Sequence, residues 1–91
     1  RLKEFWAKHP DAEQPLKYWY KKTQKTEWFS FADIRKTFNS ADSYKEMVIF
    51  NIAGNKYRLV AKVEYRLKIV FVGKIMTHAE YSKDKWKGEL L

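Results

Sequence analysis

Residues 50–81 decide the fold of this chain: they read FNIAGNKYRLVAKVEYRLKIVFVGKIMTHAEY. Just upstream, Met47–Ile52 is rich in β-branched and aromatic residues and predicts a first strand. Ala53-Gly54-Asn55 predicts a hairpin turn, because Gly and Asn tolerate positive φ. From Tyr57 to Tyr65 the pattern alternates, with Tyr57, Leu59, Ala61, Val63 and Tyr65 on one face. Arg58, Val60, Lys62 and Glu64 take the other. Arg66-Leu67-Lys68 turns the chain. Ile69, Phe71, Gly73 and Ile75 then form the next apolar stripe, with Val70, Val72 and Lys74 opposite. A two-residue turn would pair Leu59 with Lys74 and mix the faces. A three-residue loop pairs Leu59 with Ile75 and Val63 with Phe71, and gathers Arg58, Lys62 and Lys74 on one side. We therefore expect the three-residue loop. Thr77-His78-Ala79-Glu80 is a capping box that opens a helix just past the last strand. The stretch thus sets cations, an imidazole and a phenol near one sheet with few carboxylates, a surface suited to a phosphodiester.

Working outward, Leu2, Phe5 and Trp6 repeat at helical spacing and predict an amphipathic helix ending near His9-Pro10. Asp11 reads as the N-cap of a second helix, with Glu13 in its first turn and Pro15 tolerated there. Leu16, Trp19, Tyr20 and Thr23 carry that helix to about Lys25, with Lys17, Lys21, Lys22 and Lys25 on its exposed side. Ser30-Phe31-Ala32-Asp33 resembles a capping box, with Asp in place of Glu, and opens a short helix through Phe38. Asn39 to Tyr44 reads as a polar connector. The tail from Ser82 is lysine-rich and predicts a short helix followed by a loose end, with Trp86 the most exposed of four tryptophans. The fold class is therefore α+β: an antiparallel sheet packed against N-terminal helices, with a short C-terminal helix.

Composition supports one domain over residues 1–91. Hydrophobic residues make up 45% and aromatics 18%, enough for a core. There is no cysteine, which fits a cytoplasmic protein better than a secreted one. No run of apolar residues approaches a bilayer span, so no membrane association is expected. The chain opens at Arg1 and directly in a helical pattern, so a few further residues, and with them a first strand, are expected ahead of it. The net charge of +8 predicts a polyanionic partner, and the basic excess is greater after residue 50.

The order of these elements resembles a known family. NIAGNKYRLVA before one strand and MTHAEY after the last, with FWAKHPDAE near the start and WFSFADIR in the middle, are similar to the HigB-type toxins of the RelE superfamily. The likeness covers nearly the whole chain. It implies a bacterial type II toxin that cleaves mRNA in the ribosomal A site without a metal or other cofactor. It also implies a HigA-type antitoxin with a helix-turn-helix as partner.

The resemblance assigns roles residue by residue. Arg58 matches the arginine of the family's Y-R-L-V strand, and its planar guanidinium suits phosphate. His78 stands near a position that is often basic in the wider superfamily; its imidazole is itself read as a proton shuttle, at a helix start whose backbone N–H groups also suit phosphate. Tyr81 matches a C-terminal tyrosine and would transfer a proton or stack on a base. Which group acts as base and which as acid stays open, because Asn51 stands where some relatives have lysine. Asn51, Lys56 and Lys74 are candidate RNA contacts, while Asn55 is read as a turn residue, Glu80 as a cap and His9 as structural. Two separated histidines without cysteine make no transition-metal site. Two rival functions keep the same fold: a ParE-like inhibitor of DNA gyrase, and an RNA-binding module without cleavage.

Overall fold

The computed structural model describes residues 2–90. Helix α1 (Leu2–Lys8) leads through one 3-10 turn (Pro10–Ala12) into α2 (Glu13–Lys25), followed by α3 (Phe31–Thr37). Strands β1 (Asp42–Tyr44), β2 (Met47–Ile52), β3 (Tyr57–Glu64) and β4 (Ile69–Thr77) come next, then α4 (His78–Ser82) and α5 (Lys85–Leu90). The strands form one antiparallel sheet in the order β1-β2-β3-β4. The segment read as a polar connector supplies a strand of its own: Asp42–Tyr44 pairs with β2 through a tight turn in which Lys45 takes φ 55°.

Both faces of the sheet are covered. On one, Leu16 and Trp19 of α2, Trp28 and Ile34 pack against Phe50, Ile52, Leu59 and Ala61. On the other, Trp86 of α5 closes over Met47, Ile49, Val60 and Met76, with Tyr44 and Tyr81 beside it. This is why Met47 to Phe50 are all buried rather than alternating. It also corrects the reading of Trp86, which is only 1% exposed. Docking α5 covers apolar side chains that a one-sided sheet would leave wet. Each such residue fully buried contributes roughly 1.5–3 kcal/mol.

The β3–β4 register agrees with expectation at one end and departs from it at the other. Leu59 faces Ile75 and Val60 faces Lys74, but Ala61 faces Val72 and Val63 faces Val70. Gly73 is the extra residue, a β-bulge opposite Val60 and Ala61. Beyond it the faces exchange. Val70 and Val72 join the core, while Ile69 and Phe71 turn outward, 41% and 51% exposed. The connection accordingly spans Tyr65 to Lys68, with Lys68 at φ 57°. Both stripes of β4 are apolar, so alternation alone could not choose between them. The β2–β3 turn also differs in detail: Ala53 and Gly54 take the positive φ angles, 55° and 67°, and Asn55 does not.

Asp11 lies inside the 3-10 turn and does not cap α2, whose N-cap position is Ala12. Its carboxylate instead accepts from the Tyr57 hydroxyl and from Lys56 Nζ, tying the helical layer to the start of β3. Ser30 makes no side-chain cap, but Asp33 Oδ2 accepts from the Phe29 amide at 2.9 Å. His9 stacks on Phe5 with ring centroids 4.4 Å apart, in keeping with a structural role. The loose end expected at the C-terminus falls on Leu91, outside the described residues.

Candidate active site

Arg58 occupies the second position of β3, directly opposite Asn51 on β2 and Met76 on β4. Strand alternation sends it to the same face as Val60, toward α4 and α5. The residue is only 9% exposed. One guanidinium nitrogen donates to the Tyr57 carbonyl at 3.1 Å and the other to Asn55 Oδ1 at 3.4 Å. Asn55 therefore does more than shape the turn: its side chain aims the guanidinium. No carboxylate ion-pairs with Arg58 among the described residues, and Glu64 is engaged by Lys62 at 3.6 Å instead. A nearly buried cation without a counter-charge is expensive unless an anion completes it.

Tyr81 flanks that cation. The Arg58 guanidinium carbon lies 5.4 Å from the Tyr81 ring centroid. Tyr81 stacks in turn on Trp86, centroids 5.4 Å apart and planes 13° from parallel. Trp86 Nε1 donates to the Tyr81 carbonyl at 3.1 Å, and the Trp86 and Tyr44 rings meet at 73° with centroids 5.7 Å apart. The result is a stack of Arg58, Tyr81 and Trp86 on one sheet face. Trp86 belongs to this arrangement although no sequence motif marked it. Its only sequence signal is a large aromatic in an otherwise lysine-rich tail.

His78 is the first residue of α4 and is exposed. It follows Thr77, whose strand partner Tyr57 precedes Arg58, so it lies at the same end of the sheet. The capping box forms as read: Glu80 N donates to Thr77 Oγ1 at 3.2 Å and Thr77 N to Glu80 Oε1 at 2.9 Å. The Thr77 amide holds the Glu80 carboxyl below its ordinary range. The amide of His78 is taken by the Lys56 carbonyl at 2.9 Å, so it is not a free phosphate donor. The imidazole has Ser82 Oγ 3.4 Å from Nδ1.

The two lysines are less available than their sequence positions suggest. Lys56 Nζ pairs with Asp11 at 2.9 Å, and Lys74 Nζ contacts both oxygens of Glu89, at 2.8 and 3.1 Å. Asp11 is held below the usual carboxylate range by the hydrogen bond from Tyr57, then by Lys56. The same hydrogen bond raises Tyr57. The structure thus brings Arg58, Asn51 and Tyr81 together and links His78 to Lys56 through the backbone. Lys56 and Lys74 each carry a carboxylate partner.

A cation set for an anion beside an aromatic stack, on a sheet with helices on both faces, can now be set against known proteins. The HigB toxin family, described as the RelE-like toxic component of a toxin-antitoxin system, matches residues 12–84. The chain belongs to that family. The mRNA interferase HigB of Escherichia coli O6:H1 (strain CFT073) is 28% identical over 79 residues, covering 84% of this chain and 77% of that protein. The mRNA interferase toxin HigB of Escherichia coli K12 is 33% identical over 51 residues, covering 53% of this chain and 49% of its own length. The same figures describe the mRNA interferase HigB of Shigella flexneri. The chain thus spans about half the length of these two relatives. The toxin family and the antiparallel sheet agree with the fold class expected from residues 50–81.

Proposed function

We propose that this toxin is a metal-independent endoribonuclease that cleaves mRNA on the ribosome in the cytoplasm and is neutralised by a HigA-type antitoxin. The observation that carries the chemistry is Arg58: nearly buried, aimed by Asn55 and Tyr57, and without a carboxylate partner among the described residues. The names of the relatives support mRNA as substrate.

In this reading the ribose 2′-hydroxyl attacks the adjacent phosphorus and the 5′-oxygen leaves. One group takes the hydroxyl proton and another returns a proton to the leaving oxygen. Arg58 stabilises the negative charge that builds on the phosphate oxygens. His78 and Tyr81 share the proton transfers, and Asn51, beside Arg58 in register, contacts the RNA. Lys56 and Lys74 would contact phosphates only after loosening from Asp11 and Glu89. That leaves a sparse set of catalytic groups, which fits a ribosome that orients the message.

The test is to induce the chain in bacteria, with and without the double change Arg58→Ala and His78→Ala, and map transcript 5′ ends. New in-frame ends on translated messages, absent from the variant, are expected. Arrested growth with intact messages would overturn the nuclease reading and favour gyrase inhibition or simple RNA binding.

A further inference from the structure

Asp11 bonds Lys56 and Tyr57, one step removed from Arg58 and His78. It sits in the 3-10 turn between α1 and α2, 45 residues before Lys56. Its Oδ2 accepts from Lys56 Nζ at 2.9 Å and its Oδ1 from the Tyr57 hydroxyl. Both donors lie where the β2–β3 turn runs into β3. A carboxylate acceptor makes each bond stronger than a neutral one would be. Phe5 of α1 packs edge-on against the Tyr57 ring, centroids 5.2 Å apart, so the same residue is held to the helical layer twice.

The same short stretch holds the candidate catalytic groups. Asn55 Oδ1 accepts from one Arg58 guanidinium nitrogen at 3.4 Å, and the Tyr57 carbonyl accepts from the other at 3.1 Å. The Lys56 carbonyl accepts from the His78 amide at 2.9 Å. Three consecutive residues, Asn55, Lys56 and Tyr57, thus hold both the cation and the histidine backbone. Tyr57 is paired with Ile52 and Thr77 in the sheet, but Ala53 to Lys56 form the turn beyond the ladder. Asn55 and Lys56 are exposed, and a Cβ at Gly54 would meet open space. Such a turn is the softest part of a hairpin unless something bonds it down. Stability alone gives Asp11 a small part here. Its pair with Lys56 has side chains 47% and 65% exposed, and exposed pairs contribute little. What distinguishes the pair is the turn that it holds.

We propose that Asp11 is a positioning residue for RNA cleavage: by pinning Lys56 and Tyr57 it fixes where Arg58 and His78 stand. The proposal rests on the nuclease reading for its effect on rate. The two carboxylate oxygens have separate donors, so the Tyr57 bond persists when Lys56 turns to a phosphate. Placement at this level matters, because a misplacement of about 1 Å in a group that meets the transition state can cost about 100-fold in rate.

The experiment compares wild type, Asp11→Ala, Asp11→Glu and Ile34→Val for message cleavage in a reconstituted translation system, with nitrogen-15 NMR of each free chain. Ile34 is fully buried in α3, so Ile34→Val is a core change outside the turn that weakens the fold. Asp11→Ala should lower kcat about tenfold and leave KM within about twofold, since lost alignment acts on the transition state and not on message binding. Asp11→Glu keeps the carboxylate and should recover most of the loss, and Ile34→Val should cleave as wild type. In Asp11→Ala the Arg58 Nε–Hε signal should shift, and the His78 amide should exchange about tenfold faster relative to amides at the centre of β3. Asp11→Asn should show the same changes in smaller measure, and it carries the test should Asp11→Ala not fold. Both NMR changes in a protein whose wild type leaves messages intact would support the clamp while overturning the nuclease reading. Unchanged Arg58 and His78 signals would overturn the proposal. A rate loss that Ile34→Val matches would also overturn it, by assigning the loss to a weakened fold.

Discussion

Arg58 and Tyr81 come from different elements, one from the start of β3 and one from α4, yet the guanidinium lies 5.4 Å from the phenol ring centroid. A cation at this distance is attracted by the ring's negative face, worth about 0.5–2 kcal/mol depending on solvation. The contact holds the guanidinium in place without neutralising it, as a carboxylate would. Tyr81 is in turn pinned by Trp86, so the position of the cation depends on the docking of α5.

Arg58→Lys should therefore fail to rescue activity. Lysine keeps the charge but cannot donate to both the Tyr57 carbonyl and Asn55 while presenting a planar fork to phosphate. Cleavage in a reconstituted translation system is expected to fall by about 100-fold or more. Near-wild-type cleavage by Arg58→Lys would show that charge alone suffices.

Tyr81→Phe separates the two roles of the tyrosine. The ring stays stacked on Trp86, so the fold and the Arg58 contact should survive. Loss of the hydroxyl should then lower single-turnover cleavage by about 100-fold if it transfers a proton. A loss of less than about threefold, within the scatter of context effects, would confine Tyr81 to positioning.

Trp86→Ala tests the dependence on α5. Trp86 is buried against Met47, Ile49, Val60 and Met76, so its removal opens a large cavity. A cost of about 3–5 kcal/mol is expected in urea unfolding. That is a large share of the stability of so small a domain. Trp86→Phe should recover much of it, because a ring still reaches the Tyr81 face.

Much of this arrangement was legible in the residues, and the departures have identifiable causes. Met47–Ile52, the Thr77–Glu80 capping box and the facing of Leu59 with Ile75 are local or alternating signals, and each appears as expected. The bulge at Gly73 was hidden because both stripes of β4 are apolar. Trp86 was hidden because docking a tail helix leaves no local trace. Asp11 carries the residue type of an N-cap, but its partners lie 45 and 46 residues away. The candidate residues Arg58 and Tyr81 were identifiable, but the carboxylate partners of Lys56 and Lys74 were not, since those pairings are tertiary.

Asp11 gives the fold a pH signature. Its carboxyl is lowered by the hydrogen bond from Tyr57 and then by Lys56. A lowered carboxyl contributes stability fully present above the ordinary value of about 4 and lost as pH falls through the lowered one. Tyr57 is raised by the same bond, so its contribution is present below about 10 and lost as pH rises through the raised value. Urea midpoints followed against pH should fall at both extremes. Asp11→Asn should flatten the acid limb and Tyr57→Phe the alkaline one. An acid limb unchanged in Asp11→Asn would assign the acid sensitivity to other carboxylates.

Glu89→Gln addresses the last cation near the site. Lys74 contacts both Glu89 oxygens, but the pair is partly exposed, so its loss should change stability by less than about 1 kcal/mol. The released ammonium belongs to the sheet face that also bears Val60 and Arg58, since Lys74 faces Val60 across the ladder. An RNA phosphate that pairs with this ammonium sheds its counterion. The affinity of Glu89→Gln for a short single-stranded RNA should rise, and its plot of log K against log salt should steepen by about 0.7. Fluorescence anisotropy over a salt series reads both quantities at once. A higher affinity with an unchanged slope would mean that the improvement comes from removing the repulsive Glu89 charge at a distance, and that Lys74 never reaches a phosphate.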